Sequence, residues 1–182
     1  MKPRRTLEWI AIAWLTALVG ACAALAPTQP APAQREVRAV EASLEALYRA
    51  FCFDPGGEPD WAAMRELFVD GAAFTAPFAP GERPRAVGVE PFFADFRAFA
   101  ASASVRDTGL HELILRSRVE LYGVIAHAFV AFEGFEPRTG KLRTRGVDSI
   151  QLLLDRGRWR VVSFTTQYAS PQAPLPERFL VE

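Results

Sequence analysis

Apolar residues recur at Val37, Val40, Leu44, Leu47, Tyr48 and Phe51, three or four apart, which predicts an amphipathic helix with one buried face. "DPGGEP" then interrupts the period. Asp60 stands at an N-cap place ahead of Trp61, Met64, Leu67 and Phe68, predicting a second, shorter helix. "VDGAAFTAP" reads as a turn and a short strand, and "APGERPRAVG" as a loop. Pro91 fits the first turn of a third helix bearing Phe92, Phe93, Phe96 and Phe99. From His111 the period changes to two. The runs "HELILRSRVELYG", "VIAHAFVAFEGF", "RTRGVDSIQLLLD" and "RWRVVSFTTQYA", joined by Gly-containing turns, predict four long strands. Helices first and strands afterwards is the α+β layout, with three N-terminal helices packed on one face of a strongly curved, mainly antiparallel sheet.

Strand alternation sorts residues onto two faces. Ala126, Ala128, Val130 and Phe132 form an apolar face, with His127, Phe129, Ala131 and Glu133 opposite. In the next strand Asp148 falls on the side of Ile150, Leu152 and Leu154, while Ser149 and Gln151 point away. Asp148 is thus expected on the inner, apolar face, and His127 on the outer one. A carboxylate so placed must meet a cation or hydrogen-bond donor, or keep its proton. Two outcomes stay open. Either Asp148 borders a small-molecule pocket, or it pairs with an arginine such as Arg49 or Arg145 while Tyr48 packs as a core aromatic.

Half of the 182 residues are hydrophobic and the formal net charge is zero, so no basic excess points to nucleic acid. The 14 phenylalanines predict an aromatic core or cavity wall, to which Trp61, Phe96 and Phe132 belong as candidate ligand contacts. Two cysteines and two histidines, scattered along the chain, offer no set of metal ligands, and no cofactor is expected. Cys52, at the end of the first helical stripe, reads as a small buried hydrophobe. Arg143, Arg145, Arg156, Arg158 and Arg160 read as a solvated face, since acids are interspersed.

The N-terminus has its own pattern. Lys2, Arg4 and Arg5 precede an apolar stretch from Trp9 to Gly20, the layout of a secretory signal. "Val19-Gly20-Ala21-Cys22" resembles the lipobox of bacterial lipoproteins, which implies acylation of Cys22. Cleavage after "ALA" or "APA", or an uncleaved anchor from Trp9 to Ala26, are the alternatives. The expected organisation is a signal peptide over 1–21, an Ala/Pro-rich tether over 22–34, a domain over 35–172 and a tail over 173–182. The expected location is the bacterial cell envelope, on the periplasmic side, lipid-anchored or secreted.

The order "W..M..LF..GA.F", "G..AH.F..FE" and "G.DSIQL...G.RW.VVS" resembles the nuclear transport factor 2-like superfamily, in particular its SnoaL-like branch. That resemblance implies a cone whose bent sheet and three helices enclose a pocket, often in a homodimer joined through the outer face of the sheet. Similarity to ketosteroid isomerase implies that Tyr48 and Asp148 occupy two hydrogen-bond-donating positions for an enolate oxygen. The position matching that enzyme's base is Ala76, which takes no proton. The function implied is binding of a small apolar molecule with a carbonyl or hydroxyl group. One alternative is a SnoaL-like isomerase, dehydratase or cyclase with His127 as the base. Another is a protein-interaction module using the outer face, where His127, Ser149 and Gln151 lie.

Overall fold

The computed structural model describes residues 32–75, 83 and 85–179. The signal peptide, the tether as far as residue 31, Cys22 and Ala76 lie outside the described residues. Helix α1 spans Pro32–Phe51, and its proline-led start takes in three residues expected in the tether. Helix α2 is Trp61–Glu66, opened by Asp60, whose Oδ1 accepts from the Ala63 amide at 2.9 Å. Strands β1 (Phe68–Thr75) and β2 (Ala86–Val87) follow, then helix α3 (Val89–Ala101) and a single extra turn, α4 (Ala103–Arg106). Phe68, expected on the second helix, begins β1 instead. The four long strands are β3 (His111–Tyr122), β4 (Ile125–Phe135), β5 (Leu142–Asp155) and β6 (Arg158–Tyr168).

The six strands form one sheet in the order β2-β1-β6-β5-β4-β3. All neighbours are antiparallel except β1, which runs parallel to β6. The β5–β6 hairpin turns on Arg156 and Gly157, both at positive φ, as a tight two-residue turn requires. Two irregularities decide which side chains face inward. In β3 the register slips between Ile114 and Arg116, leaving Leu115 unpaired, so Glu112 and Ile114 share a face with Ser117 and Val119. In β6 the slip falls beside Val162 and keeps both Val161 and Phe164 inward.

Helices α1 and α3 cover the inner face, α1 against β3 and α3 against β1. The space between is filled by rings. Phe74 stacks on Phe92 at 3.9 Å, Phe51 meets Phe96 edge-on at 5.2 Å, and Trp61 meets Phe96 at 5.7 Å. Such pairs contribute about 0.5–1.5 kcal/mol each beyond the burial of their area. This aromatic mass occupies the β1 side of the interior. The β3 side, beneath the second half of α1, is where polar groups appear.

The described part of the expected tail folds back on the sheet. After β6, Ser170 and Ala173 close a turn, and a short 3-10 turn, Glu177–Phe179, buries Phe179 and packs on β3. Of the arginine cluster, Arg156 and Arg158 are exposed as expected, while Arg143 and Arg160 are less solvated. Arg143 reaches Glu136 at 3.3 Å and Arg160 reaches Asp155 at 3.4 Å, with only 20% and 25% of their side chains exposed. Arg143 also donates to the Ser104 carbonyl and the Thr108 hydroxyl, so its burial comes with pairing.

Candidate functional site

Asp148 is inward-facing and 2% exposed, as alternation predicts. Two residues earlier on the same face stands Gly146. A Cβ there would lie 2.5 Å from the Gln167 carbonyl oxygen and 3.0 Å from Phe132 Cε1. Glycine therefore lets the Phe132 ring lie flat beside the strand, 6.0 Å from the ring of Tyr48. Tyr48 comes from the last turns of α1 and is equally buried.

The Tyr48 hydroxyl donates to Asp148 Oδ2. Asp148 Oδ1 is buried and has no hydrogen-bond partner. Thr166 faces Asp148 across β5–β6 and acts on its carboxyl without bonding Oδ1. Neither arginine considered from the sequence serves Asp148; Arg145 pairs with Glu133, and Arg49 is exposed on α1. Burial pushes the Asp148 carboxyl from the ordinary 3.8 up to about 7, against the lowering pull of the Tyr48 and Thr166 hydroxyls. Burial and the Asp148 charge likewise raise the Tyr48 phenol, which keeps its proton.

This geometry differs from two donors side by side. Tyr48 spends its proton on Oδ2, so a neutral Asp148 carries its own on Oδ1, the oxygen without a partner. The two groups are arranged in series: the phenol bonds one oxygen of the acid, and the other oxygen has no partner.

The sequence reading missed Glu112. The slip at Leu115 turns Glu112 inward at the start of β3, and alternation counted from the middle of that strand gives no sign of it. Its backbone amide donates to Cys52 Sγ at 3.2 Å, which ties β3 to the end of α1. Burial and then the Asp148 charge push its carboxyl up to about 8. Tyr168, on the same face at the end of β6, is raised to about 12 by burial and by the charges of Glu112 and Asp148. Cys52 is half-covered rather than buried, and its thiol donates to the Tyr48 carbonyl at 3.2 Å. Burial pushes that thiol up, away from the thiolate form.

A hollow of about 360 Å³ opens between α1 and β3, lined by Tyr48, Cys52, Glu112 and Ile114, with Glu45 and Arg49 at its rim. That volume lies at the small end of the range for small-molecule sites. Of the expected contacts, Tyr48 lines this hollow, and Asp148 and Phe132 meet Tyr48 without lining it themselves. Trp61 and Phe96 sit in the aromatic mass instead, Trp61 beneath the Arg97 guanidinium at 4.7 Å. His127 is on the outer face, its Nε2 3.1 Å from Ser149 Oγ, so it does not share the hollow with Tyr48.

No family model and no curated protein matches the chain. Solved structures do. One is a nuclear transport factor 2-like protein of unknown function from Silicibacter pomeroyi. It is 25% identical over 76% of this chain and 99% of that one, with a TM-score of 0.52. A protein of unknown function with a cystatin-like fold from Nostoc punctiforme has a TM-score of 0.60 at 11% identity, over 78% of this chain and 96% of its own. A protein from Novosphingobium aromaticivorans, described as the beta subunit of an aromatic-ring-hydroxylating dioxygenase, has a TM-score of 0.54 at 20% identity. The match covers 79% of this chain and 99% of that one. With its helices on the inner face of a bent six-stranded sheet, the chain has the nuclear transport factor 2-like fold.

Proposed function

We propose that the protein binds a small, mostly apolar molecule through one carbonyl or hydroxyl oxygen, at Asp148 and Tyr48, in the bacterial cell envelope. The observation that carries this reading is Asp148 Oδ1, a buried oxygen without a partner on a carboxyl bonded to Tyr48, which itself lines the hollow. Leaving a polar atom so placed unsatisfied costs about 1–3 kcal/mol, which a ligand oxygen reaching Oδ1 past the Tyr48 wall of the hollow would recover. The test uses 4-nitrophenol, whose absorption reports hydrogen bonding to its oxygen. Wild-type protein is expected to bind it and shift its band. Tyr48→Phe and Asp148→Leu, folded by near-ultraviolet circular dichroism, should each weaken binding about tenfold. Binding unchanged by either substitution defeats the proposal.

Glu112 favours a second reading, an acid–base enzyme of the SnoaL-like kind. With Ala76 and His127 unable to serve, and Glu45 exposed at the rim, Glu112 is the inward-facing carboxylate at the hollow that can accept a proton from carbon while Asp148 holds the enolate oxygen. This reading predicts deuterium uptake next to the carbonyl of cyclohexanone in heavy water, with a bell-shaped pH profile centred between about 7 and about 8, because Glu112 must be ionised while Asp148 keeps its proton. Exchange should disappear in Glu112→Gln. Cyclohexanone that binds without exchanging leaves the protein a binder only.

A further inference from the structure

A second cavity lies on the opposite side of the sheet. Its volume is about 740 Å³, roughly twice that of the hollow beside Tyr48. The floor is the outer face of β4, β5 and β6, with Phe129, Val147, Ser149, Thr165 and Gln167. The roof is the C-terminal segment from Ala173 to Phe179.

The segment is pinned at both ends and held off in the middle. At its near end Ser170 and Ala173 exchange backbone hydrogen bonds. At its far end Phe179 is buried, and Arg116 Nη1 donates to the Arg178 carbonyl at 3.3 Å. Between the pins lie Pro174 and Pro176, which have no N–H to give and cannot join the sheet as a further strand. The gap beneath Leu175 therefore stays open.

Among the described residues the lining has one sign of charge: Arg116, Arg118 and Arg178 border the cavity, and no aspartate or glutamate does. Arg118 shares its charge with Glu120 at 2.8 Å on the exposed side, and the Arg178 guanidinium stands over the Phe179 ring at 4.9 Å. Guanidinium groups bond carboxylates through paired N–H donors, while Phe129, Val147 and Leu175 offer apolar contact further in.

From this combination we propose that the outer cavity binds an amphipathic organic anion, its carboxylate at Arg118 and Arg178 and its apolar body along Phe129 and Val147 beneath the strap. The proposal is independent of the inner site. Decanoate and its uncharged methyl ester are the probes, titrated calorimetrically against the full chain. Decanoate should bind one to one, more weakly as salt rises, and at least about tenfold more tightly than the ester. The double variant Arg118→Gln/Arg178→Gln should lose that margin. Gln167→Glu, which puts a carboxylate on the exposed floor without touching the strap, should lose it too. Asp148→Asn should leave decanoate binding unchanged, and backbone resonances of Ser149 and Thr165 should shift on titration. Equal affinity for acid and ester, indifference to both outer-face variants, or shifts confined to residues around Tyr48 would each overturn the proposal. So would a dimer in sedimentation that dissociates in Phe129→Asp and takes up no decanoate, since a second copy then occupies this face.

Discussion

Asp148 gives up hydration on both oxygens and regains a partner for one of them. Glu112 lies within reach of its charge, so two carboxyls and two phenols crowd one end of the interior. The native state holds the Asp148 and Glu112 protons more tightly than the unfolded chain does. Their contribution to stability is therefore fully present below the ordinary carboxyl range. It is lost as pH rises through about 7 for Asp148 and about 8 for Glu112. The urea midpoint of the wild type is expected to fall between about pH 5 and about pH 8.5, and Asp148→Asn should flatten that decline. A variant whose midpoint follows the wild-type curve in parallel would show that Asp148 is not the titrating group.

Among the elements, those with an unbroken period were legible in the sequence. Helix α1 follows from its 3.6-residue stripe, and the inward Asp148 from alternation within β5, whose own register to β4 runs unbroken past it. Glu112 was hidden because one extra residue, Leu115, reverses the alternation partway along β3. Gly146 passed unnoticed as well, since nothing in "RTRGVDS" announces that Phe132 needs the space of its missing side chain. The strap over the outer face reads as a Pro-rich tail, because what holds it there is a single buried ring and an arginine from a distant strand. Pairing partners such as β1 and β6 carry no local signature at all, as either order of neighbours satisfies the same hydrophobic pattern.

The whole molecule joins this fold to a leader whose pattern resembles that of a lipoprotein. Labelling with radioactive palmitate is expected to mark the wild type and not Cys22→Ala; equal incorporation in both would sink the anchor. The placement of β1 bears on the same journey. Its only long neighbour is β6, so the first strand made has its main partner in the last one. A ribosome must extrude nearly the entire polypeptide before that ladder zips, and contacts so distant in sequence form slowly. For a chain exported unfolded, as the leader pattern proposes, the last ladder to close would then be the one that joins its two ends.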